Sequence, residues 1–217
     1  MPGDPGPAGA DQRCAGRVGR YAADWGDGLV EYRRPVDGGS VRRGIWLVAD
    51  PYLRFWFRFV LPYRNRLEHG VDVDRIYSDV VAPALDHFIS KPTFEEVCRA
   101  WVLDQMEAGT LPMSDRVGAW WGPVPAPAPG QPRRQAEAEL EVVAATGTRV
   151  VLAGEAEWTP DPVGFGALSH LRDVMQYVPG TDEETELVLF GRAFEPRLQT
   201  HAAAERVRLV TAEDLYA

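Results

Sequence analysis

Apolar positions along this chain keep two different periods, and the change between them divides the molecule. From Asp72 to Phe88, Val73, Ile76, Tyr77, Val80 and Val81 recur at helical spacing. Thr93 with Glu96 three residues later reads as a capping box opening a helix that runs to about Ala108. Upstream, Pro51 suits the first turn of a helix through residues 52–61, where Phe55, Trp56, Phe57 and Phe59 are too aromatic to be solvated. A short helix is expected over Cys14–Trp25, stopped by Gly26-Asp27-Gly28. Beyond five prolines between Pro123 and Pro132 the period becomes two. Ala136–Ala145 alternates, Gly147 supplies a turn, and Val150–Trp158 returns. A helix over 163–178, a strand over Glu186–Phe190, a helix over Pro196–Ala204 and a strand over Val207–Val210 complete the pattern.

From Thr93 the order is helix, three strands, helix, strand, helix, strand, which predicts an α/β architecture, a mixed sheet flanked by helices. Leu29–Val36 and Ile45–Ala49, linked by Asp37-Gly38-Gly39-Ser40, predict a hairpin. The resulting division is a disordered tail over 1–12, a partial winged helix over 13–50 that lacks its first helices, a helical linker over 51–92, and an α/β domain over 93–217.

The 217 residues are 45% hydrophobic and 25% charged, ordinary globular composition, and carry a net charge of −9. That charge excludes nucleic-acid binding by bulk attraction and leaves only a local patch, for which Arg33, Arg34, Arg42 and Arg43 around the hairpin are the candidates. Their alternative role is to keep the strand edges solvated. Two cysteines make no disulfide framework and no paired metal-ligand spacing. The most apolar run, Tyr52–Leu61, is short and broken by Arg54 and Arg58, so no membrane span is expected and the chain reads as cytoplasmic. His69, His87, His170 and His201 fall in no ligand spacing, and no phosphate-binding G-x-x-x-x-G-K-[ST] occurs. Lys91 is the one lysine among 23 basic residues.

On the predicted hairpin, Glu137, Glu139 and Glu141 share one face, opposite Ala138, Leu140 and Val142, while Glu155 and Glu157 lie with Ala153. A turn centred on Gly147 puts Glu139 opposite Glu155. Like charges facing one another destabilise a sheet. Three explanations stand: a solvated face partly offset by Arg133, Arg134 and Arg149, a site for a hard divalent cation, or carboxylates held protonated by their neighbours.

Asp50-Pro51-Tyr52-Leu53-Arg54-Phe55-Trp56-Phe57-Arg58-Phe59-Val60, then Val117–Gly122, Glu139–Ala144 and Gly154–Trp158 follow one another in a distinctive order. This series resembles the C-terminal domain of unknown function of archaeal and bacterial AAA/STAND-type ATPases, over about residues 15 to 215. The resemblance implies a restriction-endonuclease-like PD-(D/E)xK fold. In such nucleases two carboxylates hold Mg²⁺ and a lysine orients water and offsets phosphate charge. By position Glu141 stands for the Asp, Glu155 for the Glu and Glu157 for the lysine, with Glu95 or Glu96 as a further acidic ligand. Glu157 reverses the charge the chemistry needs. Lys91 precedes the helix rather than sitting on the hairpin, Arg149 lies near the turn, and Arg133 or Arg134 would be a poor proton shuttle.

The sequence therefore favours a non-catalytic interaction or regulatory module with a degenerate site, docking a protein partner such as an ATPase module on another chain. Two alternatives remain: a nuclease dependent on Mg²⁺ or Mn²⁺ using Glu141, Glu155 and Glu96, and a DNA-binding winged-helix protein. With no P-loop, the chain is expected to be a fragment of a longer ATPase or a stand-alone descendant.

Overall fold

The computed structural model describes residues 28–38, 43–70, 72–124 and 137–216. The expected tail, the Cys14–Trp25 helix, Arg42, Arg133 and Arg134 lie outside these residues. The first described elements are β1 (Val30–Arg33) and β2 (Ile45–Val48), an antiparallel ribbon. Asp50 caps α1 (Pro51–Phe55), accepting the Leu53 N–H at 3.0 Å, and a π-helical turn carries the chain on to Val60. Short helices α2 (Arg64–Glu68), α3 (Val73–Ile76) and α4 (Ala82–Phe88) follow, the last two joined by a π turn into one helical run over the span expected. Phe55, Phe59 and Phe88 pack together with ring centroids 5.1–5.9 Å apart, whereas Phe57, expected to be internal, is exposed, so only part of the aromatic stretch is internal packing.

Helix α5 (Glu95–Glu107) then leads into the main sheet. Its strands are β3 (Arg116–Pro123), β4 (Glu137–Thr146), β5 (Arg149–Glu157), β6 (Glu186–Gly191) and β7 (Val207–Thr211), in spatial order β3-β4-β5-β6-β7. The first two pairings are antiparallel and the last two parallel. The parallel connections are α6 (Phe165–Met175) and α7 (Pro196–Ala204). Both bury their stripes on one face of the sheet: Ala167, Leu168, Leu171 and Val174 from α6, Leu198 and Ala202 from α7. On the other face Cys98, Val102 and Met106 of α5 pack with Val142, Leu152, Val188 and Phe190. The architecture is a mixed α/β sandwich with a five-stranded mixed sheet.

Three expectations are corrected. Thr93 does not cap α5: its Oγ1 is buried without a hydrogen-bond partner among the described residues, and Glu96 is engaged elsewhere. The interruption falls at Lys91, whose φ of −128° and ψ of 127° are extended inside an otherwise helical run. The residue before a proline is forced out of the helical region, and Pro92 does this to Lys91. The hairpin register also differs. Thr146 pairs with Arg149 around Gly147-Thr148, and Val151 is then an extra residue on β5, so that Val142 pairs with Gly154. Carried one step further, the register sets Glu141, not Glu139, opposite Glu155.

A second bulge lies on β4. Gly118 pairs with Val143 and Trp120 with Leu140, so Ala119 faces both Glu141 and Val142. Alternation inverts there: Leu140 and Val143 pack with α6 and α7, whereas Val142 packs with α5. The expected placing of Leu140 and Val142 on one face is therefore wrong. Below Val142 and Gly154 the two strands part, β4 staying with β3 and β5 with β6.

Gly154 stands at this fork, where an added Cβ would come within 3.1 Å of the Val188 carbonyl oxygen and 3.2 Å of the Phe190 ring. Gly154→Val is expected to cost about 2 kcal/mol through overpacking, read as a lowered urea midpoint at unchanged slope.

Candidate functional site

Glu141 and Glu155 face each other at the fork, each only 5% exposed. Glu95, the first residue of α5, is 6% exposed and heads the same buried stripe as Cys98, Val102 and Met106. One oxygen of each carboxylate (Glu95 Oε1, Glu141 Oε2, Glu155 Oε2) is buried with no hydrogen-bond donor among the described residues. Burying an unmatched charge is costly, so something must neutralise these groups.

Part of the answer is Lys91. Its ammonium lies 3.3 Å from Glu141 Oε1, 3.5 Å from Glu139 Oε2 and 3.6 Å from Glu95 Oε1. This ammonium arrives from the extended residue ahead of α5. Lys91 and Glu95 are four residues apart and meet across that turn. The Lys91 side chain stays 54% exposed, so the cluster opens to solvent at this end. Arg99, a turn into α5, donates to the Glu141 backbone oxygen at 2.6 Å and stands 3.8 Å from Glu95 Oε2.

Protonation supplies the rest. Burial, followed by the negative charge of Glu141 and Glu157, pushes the Glu155 carboxyl up to about 9. Burial likewise raises Glu95 to about 7, against the opposing pull of Arg99 and Lys91. Glu141 is raised by burial too, although Lys91 works against the rise. Lys91 itself is driven upward by the combined attraction of Glu141, Glu139 and Glu95, which outweighs its burial, and it stays charged. A proton between Glu141 and Glu155 lets the two carboxyls hydrogen-bond instead of repelling.

The remaining candidates distribute as follows. Glu96 is outside the cluster: it receives a two-pronged contact from Arg54, at 2.6 and 3.0 Å, and a second guanidinium from Arg33. Adjacent residues of one helix point to different tasks, and of the two glutamates offered for this place Glu95, not Glu96, faces the cluster. Glu157, at the end of β5, is half-buried beside Glu155, whose proton affinity it raises. Arg33 is tied to Glu31 and Glu96, Arg43 is paired with Asp37 at 3.2 Å, and Arg34 is exposed. Arg149 pairs with Asp182 at 3.0 Å near the β4–β5 turn, at the far end from the fork.

His170, which no spacing pointed to, extends from α6 to within 3.8 Å of Glu155 Oε1. The β5–α6 crossover brings it there, and the fourteen intervening residues carry no signal of it. What would have separated Glu95 from Glu96 in the sequence is its register with the apolar stripe of Cys98, Val102 and Met106. The Cys98 thiol is fully buried and pushed up by that burial, so it takes no part in thiol chemistry.

Among the described residues no three His, Cys, Asp or Glu side chains are arranged to hold a metal ion. Two facing carboxylates remain a sufficient protein contribution for a hard cation that keeps several waters. No helix among the described residues is long and apolar enough to cross a membrane.

Fold and site define an α/β protein with a buried carboxylate cluster and a lysine at its mouth. A family of archaeal and bacterial proteins of unknown function matches over residues 56–164, half of the chain, and the chain belongs to that family. Lys91, Glu95, Glu141 and Glu155 all lie inside the matched span. No curated protein and no solved structure matches.

An acid whose pKa is higher folded than unfolded binds more protons when folded. Its contribution is complete below about 4.3, the unfolded value, and is lost as pH rises through the folded value. In buffer with chelator, the urea midpoint is therefore expected to fall from pH 5 to 9. Glu95→Gln should remove the part of this fall up to about 7, and Glu155→Gln the part up to about 9. Parallel curves for wild type and both variants would contradict the assignment.

Proposed function

We propose that this chain is a divalent-cation-dependent phosphodiesterase of the restriction-endonuclease-like type, acting on nucleic acid, with its lysine supplied from outside the usual strand. The observation that carries this reading is Lys91 Nζ at 3.3 Å from Glu141 Oε1, across the fork from Glu155. A positive group beside the carboxylates answers the objection that Glu157 raises. Glu141 and Glu155 would hold Mg²⁺ or Mn²⁺, consistent with their facing positions and with the orphan oxygen that each keeps. Such a cation, when bound, polarises a phosphoryl oxygen and lowers the pKa of bound water.

This chain's own residues have separate tasks in that reading. Glu95 and Glu139 hold the Lys91 ammonium at the opening. The Lys91 side chain, half exposed, would meet a phosphate oxygen from the solvent side and offset charge as it develops. Arg99 fixes the β4 backbone at the bulge through the Glu141 carbonyl. The DNA-binding wing has less support, since Arg33 and Arg43 are already committed to carboxylates.

Docking of a protein partner has support of its own on a different surface. Trp46, Tyr52, Phe57 and Val73, on the β1–β2 ribbon and the helices after it, are 58%, 66%, 52% and 65% exposed. An ATPase module on another chain is the partner proposed. Trp46→Asp should then abolish its capture in a pull-down while leaving hydrolysis intact, and undiminished capture would remove this reading.

Purified protein incubated with single-stranded and duplex DNA is expected to cut in Mg²⁺ or Mn²⁺ and not in chelator. Glu141→Gln, Glu155→Gln and Lys91→Ala should each lower the rate at least about 100-fold. Adding Glu157→Lys to Lys91→Ala should restore part of it by returning the cation to the strand. No cleavage with either ion, or cleavage indifferent to these variants, would leave the docking module as the better reading.

A further inference from the structure

Arg192 follows β6 directly, and β6 runs beside the strand that carries Glu155. The parallel register pairs Glu155 with Leu189 and Glu157 with Gly191, so Arg192 stands one residue past the partner of Glu157. Strands about 4.8 Å apart with a rise of about 3.3 Å per residue put its Cα roughly 11 Å from that of Glu155. Its guanidinium carbon lies 5.1 Å from the centroid of the Trp158 ring. Its Nη1 is 3.7 Å from Asp86 Oδ1, the oxygen that also accepts the Trp158 Nε1–H at 3.1 Å. Trp158 packs in turn on Phe94, with ring centroids 4.9 Å apart, three residues after Lys91. Arg192 and Lys91 therefore stand on the α5 side of the same end of the sheet, with side chains 44% and 54% exposed.

A surface ion pair at this length is worth little, and the Asp86 side chain is itself 54% exposed, so the contact leaves the guanidinium largely uncommitted. Stacking on Trp158 pre-orients the planar fork, and only one long contact occupies its five donors among the described residues. A pre-oriented arginine fork fits phosphate oxygens two at a time. We propose that Arg192 is a substrate-anchoring residue that binds a backbone phosphate of a nucleic-acid strand, neighbouring the phosphate presented to Lys91, Glu141 and Glu155. This proposal rests on the hydrolytic reading and extends it: Lys91 meets the reacting phosphate, whereas Arg192 meets one that does not react. An interaction made equally in ground and transition states alters KM and leaves kcat unchanged.

The test uses a labelled single-stranded oligonucleotide with the full chain. In steady-state cleavage with Mg²⁺, Arg192→Ala should raise KM about tenfold at unchanged kcat, and Arg192→Lys should recover part of the loss. In anisotropy titrations with chelator, Arg192→Ala should lower the slope of log affinity against log salt by about 0.7, one phosphate contact on a single strand. Asp86→Ala breaks the ion pair yet keeps the guanidinium, so affinity should hold or rise. A structural tie would instead make Asp86→Ala as damaging as Arg192→Ala, and that result, an unchanged salt slope, or a fall in kcat at constant KM overturns the anchor. Absence of cleavage by wild type counts against the hydrolytic reading alone, and the salt slope still decides whether Arg192 grips phosphate.

Discussion

Three carboxylates withdrawn from water around one ammonium set the terms for the rest of this molecule. Glu95, Glu141 and Glu155 are each at least nine-tenths buried, and a medium that poorly solvates charge penalises every one of them in the ionised state. Lys91 relieves Glu141 and Glu95, and retained protons relieve Glu155.

Two irregularities create that arrangement. The bulge on β4 opposite Ala119 inverts the pleat at Glu141, and the partings of β4 and β5 below Val142 and Gly154 leave a notch into which carboxylates can turn. Bulges concentrate beside functional sites because they re-aim single side chains without unmaking a sheet. On the helical side, Pro92 holds Lys91 extended, and the side chain reaches across to the sheet. A regular helix joined to a regular hairpin would have kept these groups apart.

Helix α5 connects this chemistry to the first part of the chain. Glu95 turns toward the fork while Glu96 receives Arg54 and Arg33, which tie α1 and β1 to the same turn of helix. Further along, the Val36 N–H donates to the Ala119 oxygen at 2.8 Å, and the Trp120 and Trp121 indoles reach Asp37 and the Arg43 carbonyl. The exposed apolar residues of the ribbon and helices thus sit on elements anchored both to the helix that heads the site and to the edge strand beside it.

The sequence by itself determined the order of elements, because period and punctuation are local: alternation over Ala136–Ala145, the Gly147 turn and the helical stripe of α6 could each be read without a neighbour. It also marked the hairpin carboxylates as anomalous. It missed the capping of α5, where Pro92 overrules Thr93, and the pairing of Glu141 with Glu155, since one extra residue in a strand shifts every pair beyond it. Only the tertiary structure decided that Glu95 rather than Glu96 faces the fork, that His170 overlooks Glu155, and that Lys91 meets Glu141 fifty residues away. Those are contacts between elements, set by how helices cross a sheet, and a charge far along the chain becomes a neighbour only once that packing exists.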